Sequence, residues 1–183
     1  MYNPNIKLSI IIPCYNAEKW IEIAINSVLS QKVDWVELVV VNDGSNDGSK
    51  NIIDRFGSKI VAIHQANSGV SNARKYGVMS SHGDYVMFLD ADDELPPESL
   101  KNAINMINSY PGEGFIQKAV QIDSNGILIA GDAYNIGYSP NDYEIIRNEF
   151  LLTQATHSGL WLLPRKMLLS GNFFDPYICL GEE

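Results

Sequence analysis

Leu8-Ser9-Ile10-Ile11-Ile12-Pro13-Cys14-Tyr15-Asn16 sets the pattern for the first hundred residues. Leu8–Ile12 is a continuous β-branched run, as expected of a strand covered on both faces. It stops at a proline and gives way to a polar turn. Asn16 then reads as the N-cap of a helix whose Trp20, Ile21, Ala24, Ile25, Val28 and Leu29 recur at helical spacing.

The alternation continues downstream. Strands are predicted at Glu37–Val41, Lys59–His64 and Tyr85–Leu89, separated by helices over Ser49–Phe56 and Val70–Ser80. Pro96-Pro97 is predicted to open a further helix running to about Asn108. This β-α-β-α-β-α-β order implies an α/β protein with a mostly parallel, doubly wound, Rossmann-like sheet and helices on both faces. After Pro111 the pattern changes. Phe115–Asp123 and Ile127–Ala130 read as a hairpin around Ser124-Asn125-Gly126. A helix over Asp142–Leu152, a strand at Trp161–Leu163 and a helix near Arg165–Leu169 follow.

In open α/β sheets, ligands bind beyond the carboxyl ends of the strands. Three of the first four predicted strands run into polar segments there: Pro13-Cys14-Tyr15-Asn16, Asn42-Asp43-Gly44-Ser45 and Asp90-Ala91-Asp92-Asp93. Parallel topology brings all three to one edge.

Composition narrows the partners. The 183 residues are 45% hydrophobic and 19% charged, with a formal net charge of −9, enough chain for one domain with a sizeable core. The charge argues against nucleic acid or an anionic membrane surface as the main partner. Cys14 and Cys179 have no metal-ligand spacing and cannot form a disulfide framework, which suggests a reducing compartment. The N-terminal stretch is neither a signal peptide nor a transmembrane segment, and no later stretch approaches the roughly 20 apolar residues a span requires. The expectation is a cytoplasmic protein, with a position at the inner face of a membrane left open.

Each polar segment has a chemical reading and a plain one. Asp90-Ala91-Asp92-Asp93, followed by Glu94, concentrates charge that no neighbouring basic residue offsets. A divalent cation held by one or two carboxylates and completed by water and phosphate would explain it; a solvated acidic turn ahead of a helix is the alternative. The spacing is not that of a calcium-binding EF-hand, and the chain has no G-x-x-x-x-G-K-[ST] phosphate loop. Asp43 can accept a hydrogen bond from a nucleobase imide, or can belong to a simple Asp-Gly turn. Arg74, within Asn67–Gly77, can neutralise a nucleotide, or can be an exposed helical arginine. Gly77 inside that helix costs about 1 kcal/mol against alanine, which points to close packing. His64, His82 and His157 share no metal spacing and read as surface or core residues. Trp161 is either a sugar-stacking platform or a packed aromatic, and Glu182 and Glu183 read by default as solvated carboxylates.

Together these segments resemble the family 2 glycosyltransferases, which have the GT-A fold. Ile10–Asn16 is similar to the family's opening strand and P-x-Y-N turn. Val41–Ser45 is similar to its N-D-G-S segment, and Asn67–Gly77 to its N-x-G-x-x-x-A-R-N-x-G. Phe88–Asp93 resembles the D-x-D strand end, and Phe174-Asp175-Pro176 through Gly181-Glu182-Glu183 resembles the F-D…G-E-D segment. The likeness spans nearly the whole chain in order, with Lys75 in place of the family's Asn and Glu183 in place of its Asp.

The resemblance implies one glycosyltransferase domain over residues 1–183. Residues 1–110 would bind the nucleotide sugar, and residues 111–183 would form an acceptor-binding half truncated at its C-terminus. It implies that Asp43 reads the nucleobase, with Pro13, Tyr15 and Asn16 beside it and Arg74 nearby. It further implies that Asp92 is the foremost metal ligand, with Asp90 and Asp93 contacting ribose, metal or metal-bound water. Mn²⁺ or Mg²⁺ is the implied cofactor, inversion at the anomeric carbon the implied chemistry, and Glu183 the implied general base. His157, Trp161 and Glu182 are the acceptor-side candidates. The implied partners are a nucleoside diphosphate sugar, with UDP-sugars favoured, and a saccharide, lipid-linked or protein acceptor; a homodimer is a further candidate assembly. Two competing functions are a non-catalytic nucleotide-binding or assembly domain and a haloacid dehalogenase-type phosphatase. The phosphatases carry D-x-D on the first strand with Thr or Val two residues after the second Asp, where this chain has the fourth strand and Glu94.

Overall fold

The structure is a computed structural model that describes residues 7–116, 119–122, 128–132, 136–138, 161–170 and 174. Strand β1 (Leu8–Cys14) is fully buried, its apolar residues on both faces and its one polar side chain, Ser9, donating to Glu37 Oε1 at 2.6 Å. It pairs in parallel with β2 (Val36–Asp43) on one side and with β4 (Tyr85–Phe88) on the other. Strand β3 (Val61–Gln65) adds to the far side of β2, again in parallel. The pairing across β1 continues onto β9 (Trp161–Pro164), which runs antiparallel to β4. Strands β5 (Gly114–Ile116) and β8 (Ile136–Tyr138) complete a seven-stranded sheet of order β3-β2-β1-β4-β9-β5-β8. Strands β6 (Ala119–Ile122) and β7 (Leu128–Asp132) form an antiparallel pair separate from the main sheet; the single strand expected over Phe115–Asp123 is thus replaced by two, β5 in the main sheet and β6 in this pair.

Two apolar layers cover the sheet. On one face Ile10, Ile12, Leu38, Val40 and Met87 pack against α1 (Ile21–Leu29), α2 (Ser49–Asp54) and α4 (Ser99–Ser109). On the other, Ile11, Val39, Val41, Val86 and Phe88 meet α3 (Val70–Ser80), α5 (Arg165–Ser170) and Phe174. Successive side chains of a strand point to opposite faces, so consecutive apolar residues such as Ile10-Ile11-Ile12 and Val39-Val40-Val41 feed both layers. This is the doubly wound arrangement expected from the sequence. The polar segments after β1, β2 and β4 accordingly share one edge, and β1 with its two neighbours forms the place where strand order reverses, the usual binding crevice of such sheets.

Four further local expectations need correction. Asn16 does not cap α1: it adopts φ +50°, and Trp20 precedes the first helical residue. The third strand is shorter than expected, because Gly57–Lys59 forms a 3₁₀ turn before it. Pro96-Pro97 do not open α4; the Ser99 N–H closes a turn on the Pro96 carbonyl, and Glu98 stands at φ +69° before the helix begins. The start of α4 is tied to α1 instead, with Leu95 N–H on Ser27 Oγ at 3.0 Å and Leu100 N–H on Gln31 Oε1 at 3.1 Å. Finally, Trp161 is 1% exposed and packs with the Phe88 layer, so it is a core aromatic and offers no face to a sugar. The helix expected over Asp142–Leu152 lies outside the described residues.

Gly77 brings α3 hard against β1, since a Cβ built there falls 2.4 Å from Ile11 Cγ2. Gly77→Ala therefore sets a gain in helix propensity of about 1 kcal/mol against overpacking of about 1–3 kcal/mol. The variant should be the less stable by chemical denaturation, and a denaturation midpoint at or above that of the parent would contradict the close approach.

Candidate active site

The carboxyl edge of the sheet is organised by Asp43, the last residue of β2. Its side chain is 3% exposed, a placement that a carboxylate tolerates only with donors around it. Gln65 Nε2 donates to Oδ1 at 2.6 Å, as do the Ser68 N–H at 2.9 Å and the Ser68 hydroxyl at 3.2 Å. The Gly69 N–H donates to Oδ2 at 2.8 Å. Gly69 is the residue before α3, and its φ of +89° is open to glycine at little cost. Asp43 thus clamps the segment leading into α3, with its negative charge at the positive end of that helix. Gly44, at φ +73°, lets the β2 turn approach so closely that a Cβ would lie 2.5 Å from Asn67 N.

The turns after β1 and β2 are fastened by reciprocal bonds. From the first, the N–H groups of Asn16, Ala17 and Glu18 donate to Ser45 Oγ, Ser49 Oγ and Asp47 Oδ2, each at 3.0 Å. In return the Asn46 N–H reaches Asn16 Oδ1 at 2.8 Å, and the Gly48 N–H reaches Glu18 Oε2 at 2.7 Å. Asn42 Oδ1 accepts the Ser45 N–H at 3.2 Å. Partial desolvation works against ionisation of Asp47, but hydrogen bonds from Ser49 and the Glu18 N–H outweigh it and hold the carboxyl below the usual carboxylate range. Beneath the turn, burial pushes the Cys14 thiol up, which makes it a packing residue.

Beyond β4, the Asp93 N–H closes a turn on the Asp90 carbonyl at 3.1 Å. Asp92 and Asp93 are exposed, and Asp90 is half-buried. Asp90 Oδ1 lies 2.9 Å from Arg74 Nη2 on α3. This corrects the expectation of an uncompensated acidic cluster: the neutralising cation comes from 16 residues earlier in the chain. Arg74 is itself 2% exposed, so it is a buried ion-pair partner and not a surface arginine.

The sequence-predicted residues Asn16, Asp43, Arg74, Asp90, Asp92 and Asp93 therefore stand along one edge, with Pro13 buried and Tyr15 49% exposed at the end of β1. Glu182, Glu183 and His157 lie outside the described residues. Ser45, Ser49, Gln65 and Ser68 were missed; their signal is the density of hydroxyls and amides beside Asp43, in Asn42–Ser49 and Gln65–Ser68. The residues present suit a hard cation. Asp92 and Asp93 offer oxygen ligands to solvent, while no group of three His, Cys, Asp or Glu among the described residues is placed to hold a metal alone. Such a site would rely on water and ligand oxygens for the rest of the shell.

A family model, Glycosyl transferase family 2, matches residues 9–169. The uncharacterized glycosyltransferase EpsJ of Bacillus subtilis is 43% identical over 140 residues, covering 66% of this chain and 40% of that protein. Among solved structures, S. aureus TarS 1-349 in complex with UDP-GlcNAc superposes with a TM-score of 0.66 at 22% identity, covering 90% of this chain and 47% of that one. The mannosyltransferase PcManGT from Pyrobaculum calidifontis, in complex with GDP-Man and Mn²⁺, superposes with a TM-score of 0.62 at 20% identity, covering 93% and 48%. The chain thus spans less than half the length of each of these proteins, and its fold is the GT-A fold.

Two outcomes follow from the clamp and the turns. In Asp43→Asn, an amide nitrogen facing the Gly69 N–H leaves a buried donor unsatisfied, a loss of about 1–3 kcal/mol. Urea denaturation should show it together with faster amide exchange at Gly69, and unchanged stability would mean that Asp43 does not hold the α3 entry. The Asp47 contribution is complete above the ordinary aspartate value of about 3.9 and is lost as pH falls through its lower folded value. An NMR titration of the Asp47 carboxyl should therefore place its midpoint below that value.

Proposed function

Because the chain belongs to glycosyl transferase family 2, we propose that it forms the donor-binding part of an inverting glycosyltransferase. In this reading it moves a sugar from a nucleoside diphosphate sugar to an acceptor hydroxyl, with a UDP-sugar favoured as donor and a saccharide, lipid-linked or protein acceptor. The observation that carries the reading is the convergence of Asn16, Asp43 and the Asp90–Asp93 turn at the edge where strand order reverses.

The nucleobase is assigned to Asp43. Its Oδ2 takes one donor, the Gly69 N–H, and a carboxylate oxygen carries two lone pairs. Oδ2 therefore keeps capacity for the N–H of a uracil or thymine imide. Tyr15, exposed at the end of β1, provides an aromatic face beside it.

The diphosphate is assigned to the Asp90–Asp93 side. The N–H groups of Asn16, Ala17, Glu18, Ser45, Asn46, Gly48 and Ser49 are taken by side-chain acceptors. The interlocked turns are therefore no anion cradle, and the edge itself is acidic. A divalent cation, Mn²⁺ or Mg²⁺, when bound would offset the charge that builds on the leaving diphosphate. Asp92, with Asp93, would hold it from the exposed side of the turn. Arg74 orients Asp90 through their 2.9 Å pair. Deprotonation of the acceptor is assigned to Glu183, and acceptor recognition to residues 111–183.

The direct test is thermal unfolding with UDP, GDP, dTDP and CDP, each with and without Mn²⁺. Ligand at about 100 times its dissociation constant adds about 2.7 kcal/mol, which for a chain of this size is a rise of several degrees. UDP with Mn²⁺ should give that rise, and Asp92→Asn should remove its metal-dependent part. No response to any of the four nucleotides would overturn the donor reading, and an unchanged Mn²⁺ effect in Asp92→Asn would overturn the ligand assignment.

A further inference from the structure

Three histidines carry no metal spacing in the sequence, yet one is built into the edge just described. His64 lies on β3 in register with Asn42, the residue before Asp43. Its Nδ1 is 3.3 Å from Asn42 Nδ2, and its Nε2 is 2.9 Å from Asp54 Oδ1 on α2. Asp54 Oδ2 in turn receives Lys50 Nζ at 2.6 Å. Exposed ion pairs of the Lys50–Asp54 kind contribute little by themselves. The other end of this series differs, because Asn42 is 3% exposed.

The donors fix the order of the series. The Ser45 backbone N–H can only donate, and it donates to Asn42 Oδ1. The Asn42 amide therefore turns Nδ2, a donor, toward His64. Nδ1 of the ring must then accept, which puts the ring proton on Nε2, facing the Asp54 carboxylate. From there the series continues through Ser45, whose Oγ receives the Asn16 N–H at 3.0 Å. One line of hydrogen bonds thus joins α2, β3, the Asn42–Ser45 turn and the turn after β1, with Asp43 inside the span it sets.

We propose that His64 is a positioning residue for donor binding: oriented by Asp54, it fixes the Asn42 amide and with it the turn that presents Asp43. The proposal rests on the nucleotide-binding reading above. It assigns His64 no contact with the donor and no proton transfer. If Nδ1 carries a proton, two donors face each other across the 3.3 Å contact, and the Asn42 amide has to abandon either His64 or Ser45.

Two substitutions separate the ends of the series. His64→Asn retains an acceptor near the position of Nδ1 but cannot reach Asp54; His64→Gln reaches toward Asp54 and leaves Asn42 without its acceptor. With the full chain, the probe is UDP in the presence of Mn²⁺, measured by titration calorimetry, alongside amide exchange at Ser45 and the nitrogen shifts of the His64 ring. The expected results are an unprotonated Nδ1 in the parent and, in His64→Gln, faster Ser45 exchange with UDP affinity weakened about tenfold, the size of one lost buried hydrogen bond. His64→Asn should stay within about threefold of the parent, inside the scatter of a single hydrogen-bond contribution. Equal UDP affinity in all three proteins, or a protonated Nδ1 in the parent, would overturn the proposal even if both variants melt earlier. A parent chain that binds none of the four nucleotides would instead overturn the donor reading, and Ser45 exchange in the two variants would still decide whether His64 sets the turn.

Discussion

A buried carboxylate that must find its donors inside the protein governs this fold's working edge. Asp43 ends a strand of buried apolar residues, and from there it draws in Gln65 at the end of β3 and the Ser68-Gly69 segment that starts α3. Leaving any of these donors unmatched costs more than the bond itself contributes in water. The ends of two strands and the start of a helix are therefore fixed relative to one another by one side chain. Arg74 extends the same logic across β1: rooted on the helix that Asp43 anchors, it meets Asp90 at the end of β4.

Much of this was legible in the residues. Runs such as Leu8–Ile12 and Val39–Val41 announce strands covered on both faces, because they are short, rich in β-branched residues and end in turn-forming residues. The order of strands and helices then dictates a parallel sheet, and a parallel sheet dictates that Asn16, Asp43 and Asp90 share an edge. Gly77 was readable as a close approach because a glycine in mid-helix has a cost that packing must offset. The family resemblance rested on these same segments, and the match over residues 9–169 bears it out.

What escaped the sequence were pairings between positions far apart in the chain. Arg74 and Asp90 look like an exposed cation and an unrelieved acidic cluster until α3 and β4 are placed side by side. Asn16 has the composition of a helix cap, but its side chain is claimed by the Asn46 N–H from the neighbouring turn, and that competition moves the start of α1 to Ile21. Trp161 is equally suited to a sugar platform and to a core; burial by the Phe88 layer decides it. In each case a local preference was overruled by a partner whose distance along the chain carries no signal.

The entrance to α4 shows what such dependence means in time. A helix must fix several residues before its first hydrogen bond forms, so its nucleation is unfavourable and local caps speed it. Here the Leu100 N–H is capped by Gln31, 69 positions earlier, and no side chain of Glu98, the residue at the cap position, takes that place. The first turn of α4 is therefore secured only after α1 has docked on β1, and closing so long a loop is the slow kind of step in folding. This corner of the domain should assemble late, on a surface already built by the strands that carry the site.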